Sequence, residues 1–187
     1  MHFLLANGHR DIAYAHGALP CYSTRERFDT FRCALWDAGC VCRPEWVFDT
    51  GCSVDEAARR WRRWFGRRTE FDFSAVVCEN DIIALGIMRA CLEAGVAIPD
   101  TLSIAGVDDT IACHYAQIPL TTVHIPAFEL GQSAAKLLCS LLRSMPVPQG
   151  KFSVPTRLVR RDSCSVAAGA EPTATTSPNF ITNESQT

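Results

Sequence analysis

Two places in the chain gather residues able to hold a polar ligand, and each closes a short apolar run. Glu79-Asn80-Asp81 follows Ser74 to Cys78, and Asp108-Asp109 follows Leu102 to Val107. Carboxylates and a carboxamide supply acceptors and donors of fixed geometry, which suits hydroxyl, amine or amide groups on a ligand. A carboxylate pair could also do acid–base or metal chemistry. Adjacent side chains at a strand end point to opposite sides, however, so Asp108 and Asp109 are not expected to share one site. Asp109 is expected to cap the short helix after it, which leaves Asp108 for the ligand. The other conspicuous group is the run from Arg59 to Arg68, RRWRRWFGRR. Basic and aromatic residues interleaved in this way can bind a nucleic-acid backbone. Ala57, Trp61, Trp64 and Phe65 nevertheless fall on one helical stripe, so the arginines are expected on the solvent side of an amphipathic helix.

Little else in the chain suggests catalysis. His9, His16, His114 and His124 show no ligand pair at helical spacing, and neither a Gly-rich phosphate loop nor a nucleophile elbow is present. No catalytic residue, metal or cofactor is assigned. The ten cysteines are scattered, and Cys33, Cys78, Cys91 and Cys139 fall inside apolar runs. They read as small hydrophobes in a reducing compartment rather than as a disulfide framework. Cys40 and Cys42 lack a second pair at zinc-ribbon spacing.

The elements that position these residues follow from hydrophobic periodicity. Ser74 to Cys78 is too short for a helix and rich in valine, which predicts a buried strand. Ile82 to Ala94 reads as a helix stopped by Gly95, and Leu102 to Val107 as a second strand. A unit of this length implies parallel strands joined by a right-handed crossover. Ligands in such sheets bind beyond the carboxyl ends of the strands, where Asn80 and Asp108 fall. Further strands are expected at Asp11 to Ala15, Trp46 to Asp49, Thr121 to His124 and Phe152 to Val159. Ser23-x-x-Glu26 and Ser53-x-x-Glu56 form capping boxes, each opening a helix. The first helix carries Phe28, Phe31, Leu35 and Trp36 at helical spacing and ends at Gly39. His2 to Asn7 ends a helix, and Pro126 opens one that runs to Ser144. Alternating strands and helices make this an α/β chain with a mostly parallel sheet.

Composition narrows the class of partner. With 187 residues, 48% hydrophobic and 20% charged, the chain fits one soluble domain with a real core. A net charge of −2 argues against nucleic-acid binding through bulk electrostatics. No apolar run reaches membrane-spanning length and the start lacks signal-peptide character, so a cytoplasmic protein without a membrane partner is expected. From Ser165 onward Ala, Thr, Ser, Pro and Asn dominate, and residues 165–187 are expected to form a disordered tail.

Six motifs in order, GHRDIAYAHG, STRERFDTF, ENDIIALGIMRACLEAG, IPDTLSIAGVDD, PLTTVHIPAFELGQSAAKLL and VPTRLVRRDS, give residues 1–164 a family resemblance. This stretch resembles the effector-binding domain of LacI/GalR-family bacterial transcriptional regulators. The resemblance implies a periplasmic-binding-protein-like clamp, in which two α/β lobes close on a ligand, usually a sugar or nucleobase. It implies that this chain holds the second lobe plus a returning segment, 121–144, with most of the first lobe and the helix-turn-helix lacking. Operator DNA would then be reached only through an absent N-terminal domain. By the same resemblance Arg25, Asn80 and Asp108 contact the ligand, while Cys52 and Ile125 replace a ring-stacking aromatic and a polar residue. The implied function is effector sensing and dimerisation within a repressor, as a homodimer or a mixed dimer with an intact homologue. With one jaw absent, effector binding should be weak, and Leu130, Leu137, Leu138 and Leu141 should be partly exposed. A free-standing binding module is the alternative. An enzyme of flavodoxin-like architecture would need a cofactor loop that the chain lacks.

Overall fold

Alternation of side chains along two central strands, β1 (Ile12–His16) and β3 (Ala75–Cys78), assigns the faces of the sheet. Ala13, Ala15, Val76 and Cys78 point to one side, Ile12, Tyr14 and Ala75 to the other. The computed structural model describes residues 1–17, 22–148, 150 and 152–170. Its remaining strands are β2 (Val47–Asp49), β4 (Ser103–Asp108), β5 (Thr121–His124) and β6 (Arg157–Val159). They form one six-stranded sheet in the order β2-β1-β3-β4-β5-β6, parallel except for the antiparallel pairing of β5 with β6. The α/β, mostly parallel fold expected from the sequence is therefore the fold observed.

Helices cover both faces. On the first, α3 (Val54–Phe65) and α4 (Asp81–Glu93) contribute Trp61, Ile83 and Ile87 to a core with Val76 and Ile104. These two helices approach closely because residue 86 is glycine. A Cβ there would lie 2.6 Å from both the Ala57 Cβ and the Val54 carbonyl oxygen. On the second face, α1 (His2–Ala6) and α2 (Tyr22–Asp37) bury Leu4, Phe31 and Leu35 against Ile12 and Tyr14. Two shorter-range elements complete the chain: α5 (Ala112–Tyr115) and α6 (Ala127–Leu142). Among the described residues no helix is long and apolar enough to cross a membrane.

Several boundaries differ from the sequence expectations. Ser53 does cap α3, its Oγ accepting from the Glu56 N–H at 3.1 Å, but the Glu56 carboxylate returns to the Cys52 N–H at 3.3 Å. Helix α2 already runs at Tyr22, so Ser23 lies inside the first turn and not at the cap. Trp36 is 81% exposed because it stands one residue, or about 100°, round the helix from buried Leu35. Cys33 and Cys139 are exposed rather than core residues, whereas Cys78, Cys91 and Cys113 are buried. The last strand is only three residues long, with Pro155 ahead of it unable to donate to a ladder. Nor does structure end at Ser165: its N–H donates to Ser103 Oγ at 3.1 Å, and Ala167 N–H to the Asn7 carbonyl at 2.9 Å. Residues 165–170 are thus part of the folded body, and the rest of the expected tail, residues 171–187, lies outside the described residues. Helix α6 buries no residue, and Leu130, Leu138 and Leu141 are exposed with Leu137 half-buried.

His9 ties the two ends of this body together. It is buried, with Nδ1 2.8 Å from Ser74 Oγ and Nε2 3.1 Å from the Ser165 carbonyl oxygen. Burial lowers its pKa below the ordinary 6.5, against the opposing pull of the Ser165 carbonyl. A histidine depressed in the folded state favours folding above its unfolded pKa, and that contribution is lost as pH falls through the folded value. Urea stability should therefore drop as pH falls below about 6.5. A His9→Gln variant should lose that slope; an unchanged slope would place the acid sensitivity elsewhere.

Candidate functional site

The carboxyl ends of β1, β3, β4 and β5 converge, and an arginine from α2 bridges them. Arg27 Nη1 donates to the Glu79 carbonyl oxygen at 2.7 Å, and Nη2 lies 3.7 Å from Asp108 Oδ1. Both side chains are about one-third exposed, at 32% and 39%. The Glu79 carboxylate sits beneath them, accepting from the Gly17 N–H at 2.8 Å and from the Thr24 hydroxyl. Burial raises the pKa of Asp108, Arg27 opposes that rise, and the Asp81 and Glu79 carboxylates add to it. Under the same cluster the Tyr14 hydroxyl is buried with no hydrogen-bond partner among the described residues, and burial, then the nearby Glu79 charge, raises its pKa.

Of the expected ligand residues, Asp108 and Asn80 lie at this strand end, but Arg25 does not join them. Arg25 is 84% exposed and faces Asp29, with Nε 3.9 Å from Oδ2. The reason is helical phase. Thr24, Arg27, Phe28, Phe31 and Leu35 share the stripe of α2 that faces the sheet, and Arg25 stands off it. Arg27, and not Arg25, is the arginine that the structure brings to this strand end. Asn80 caps α4, its Oδ1 accepting from the Ile83 N–H at 3.0 Å.

A second layer holds the end of β4 in an unusual conformation. Asp108 and Asp109 have φ of 120° and 59°, both in the left-handed region. Such residues cost on the order of 1–3 kcal/mol each unless neighbours hold them. Asp109 is held from one side by Arg161 Nη2, 2.6 Å from its Oδ1, and on the other by His124 Nδ1, 2.9 Å from its Oδ2. Burial would raise the pKa of Asp109, but its bonds to Arg161 and His124 outweigh that and leave it lowered. Asp109 is thus an anchor, not the cap of α5, whose start has no side-chain cap. Asp81, fully buried, accepts from the Thr110 N–H at 2.8 Å and the Thr122 hydroxyl at 2.6 Å. Gly106 makes room for it, since a Cβ there would lie 2.4 Å from Asp81 Oδ1.

Sequence reasoning missed Arg27 and Arg161, and named Glu79 and Asp81 only as members of the strand-end group. The periodicity that found Phe28, Phe31 and Leu35 carries Arg27 on the same stripe, so that signal was present. Arg161 pairs with Asp109 across 52 positions of sequence, and no local pattern marks it. Among the described residues no group of three or more His, Cys, Asp or Glu side chains could hold a metal ion. What the site can do is hold a polar molecule: a guanidinium, a carboxylate and a carboxamide stand at the same strand ends.

Residues 1–164 match the model of the periplasmic binding protein-like domain. The HTH-type transcriptional repressor PurR of Vibrio vulnificus is 30% identical over 164 residues, which cover 86% of this chain and 48% of the repressor. A sugar-binding transcriptional regulator of the LacI family from Escherichia coli, complexed with phosphate, superposes with a TM-score of 0.74 at 30% identity. That match covers 88% of this chain and 58% of the other. The lac repressor dimer bound to operator and the anti-inducer ONPF gives a TM-score of 0.78 at 27% identity, over 88% of this chain and 56% of that one. The chain spans about half the length of the curated relatives it matches. These relatives are transcriptional regulators, not enzymes. With residues 1–164 matched and the sheet shared, the chain belongs to the periplasmic binding protein-like domain family, in the form carried by LacI-type transcriptional regulators.

Proposed function

We propose that this chain senses a small effector for a LacI/GalR-type transcriptional repressor, holding it at the carboxyl ends of β3 and β4. The observation that carries this reading is the Arg27–Asp108 pair. Its 3.7 Å separation is looser than a charge-assisted hydrogen bond, and both groups keep a face to solvent. A donor fork beside an acceptor suits a neutral ligand rich in hydroxyl, ring-nitrogen or carbonyl groups, which is the chemistry of a sugar or nucleobase. Asn80 spends its oxygen on the helix cap, so its amide nitrogen is the group that would meet the ligand.

In the whole regulator, effector binding would bias the closure of two lobes and so the spacing of the DNA-reading heads. Operator contact belongs to an element that enters the major groove, and none of the elements described above is built for that. Self-association is expected through exposed apolar residues such as Ile82, Ile111 and Tyr115. The site described here has one wall, and each charge-assisted bond missing from a facing wall removes on the order of 1.5–3 kcal/mol. Binding should accordingly be weak, in the millimolar range.

Thermal unfolding of the full chain with adenine, ribose or galactose tests the reading. At about tenfold excess over Kd, one of these classes should raise Tm by roughly 2–4 °C in a dose-dependent way. A flat response to all three would contradict the proposed chemistry.

A further inference from the structure

A second cavity, of about 630 Å³, lies at the opposite end of the strands from Asp108. The start of β2, the end of α3 and the loop from Gly66 to Phe73 enclose it. Its volume falls within the range of small-molecule sites. Trp46, Phe48 and Phe73 form a buried floor, and Trp64, which is 40% exposed, forms a wall with Phe65 and Phe71. The rings are in mutual contact, with centroids 4.9 Å apart for Phe48 and Trp64 and 5.8 Å apart for Trp46 and Phe73. The rim carries three exposed carboxylates, Glu45, Glu70 and Asp72, against two cations, Arg68 and, at its edge, Arg43. Among the described residues none of the three carboxylates enters an ion pair.

Aromatic faces attract cations through the negative potential above the ring, and tryptophan does so most strongly. The molecule already shows this at the site's edge, where the Arg43 guanidinium sits 4.5 Å from the Trp46 ring centroid. An acidic rim raises the local concentration of cations and repels carboxylates and phosphates. We infer that this cavity binds a small organic cation, an alkyl- or quaternary ammonium, against the ring of Trp64 over the aromatic floor, with Glu70 and Asp72 balancing its charge. None of these residues belongs to the site at Asp108. The ligand chemistry is also opposite in kind: a dispersed positive charge on an apolar body, where the other site takes a neutral, hydrogen-bonding molecule. A sugar could stack on the same rings and donate its hydroxyls to the rim carboxylates, but only a cation gains from their net charge over distance.

Tryptophan fluorescence of the full chain, in a Trp36→Phe background that removes the exposed indole elsewhere, reads the cavity directly. Choline and tetraethylammonium should each change the emission saturably, and dimethylbutanol, the uncharged carbon isostere of choline, should bind about tenfold more weakly or less. Trp64→Ala should weaken choline about tenfold while circular dichroism stays unchanged, since Trp64 is partly exposed. Glu70→Gln with Asp72→Asn should weaken it too and remove its dependence on ionic strength; this pair decides the matter if the Trp64 variant does not fold. Equal binding of choline and dimethylbutanol, a saturable response to ribose in place of the cations, or no saturable response at all would each overturn the inference.

Discussion

Arg161→Ala should destabilise the chain by about 3–5 kcal/mol, the usual consequence of leaving one partner of a buried ion pair behind. Arg161 and Asp109 are only 8% and 10% exposed. The guanidinium bonds Asp109 Oδ1 at 2.6 Å and the Leu120 carbonyl at 2.7 Å. Its removal takes the one guanidinium from a buried carboxylate, leaving it His124 alone among the described residues, and a donor from the carbonyl. The same loss releases the left-handed turn at Asp108 and Asp109, a conformation that aspartate tolerates better than most residues but that still costs energy. The pKa of Asp109 is lowered in the folded chain. Its contribution is therefore fully present above its unfolded value of 3.8 and fades only as pH falls below that, so the effect is undiminished at neutral pH. With an m-value of about 2–3 kcal/mol per molar, the urea midpoint should fall by more than about 1 M. The double variant Arg161→Ala with Asp109→Ala should recover part of the loss, because no buried charge is then left unpaired. A midpoint shift below about 0.5 M for the single variant would show that the pair is not the anchor of this strand end.

Arg27→Ala should weaken effector binding about 10- to 150-fold, the equivalent of one charge-assisted bond of about 1.5–3 kcal/mol. Arg25→Ala should leave it unchanged. The two arginines are two positions apart and carry the same charge, so bulk electrostatics cannot separate them. Arg25 is 84% exposed on the outer side of α2, in a surface pair with Asp29 of the kind worth at most about 1 kcal/mol. Arg27 reaches Glu79 and Asp108 at the ends of two strands. Titrating each variant with whichever of ribose, galactose or adenine stabilises the parent chain distinguishes them. Equal losses in both variants, or a loss confined to Arg25→Ala, would remove Arg27 from the site.

The contrast between Arg25 and Arg27 also shows how far sequence reasoning reaches. The sheet, its parallel sense and the strand ends bearing Asn80 and Asp108 were legible, because period-two burial and helix stops are local signals. The phase of α2 was legible as well, in Phe28, Phe31 and Leu35, yet matching a motif by position placed the arginine on the wrong side of the helix. Burial of Asp81 could be guessed from its neighbours, but not its bond to Thr122, 41 positions later. The Asp109–Arg161 pair and the docking of Ser165 on Ser103 likewise depend on how the returning chain is threaded. A composition shift cannot see them, and the boundary expected at Ser165 was misplaced for that reason. The aromatic residues around Arg59 to Arg68 were correctly read as a helical stripe, but only the loop from Gly66 to Phe73 turns that stripe into a cavity.

Amide proton–nitrogen correlation spectra of the full chain, at 20.6 kDa, test the central claim most directly. Addition of ribose, galactose or adenine at millimolar concentration should shift the amides of Gly17, Asn80, Asp108 and Thr110 progressively, with the rest of the sheet unmoved. Those four mark the ends of β1, β3 and β4, where the ligand is placed. Shifts gathered instead along α6 or around Trp46 and Trp64, or no shift with any of the three, would contradict a sensor that reads its effector at the carboxyl ends of these strands.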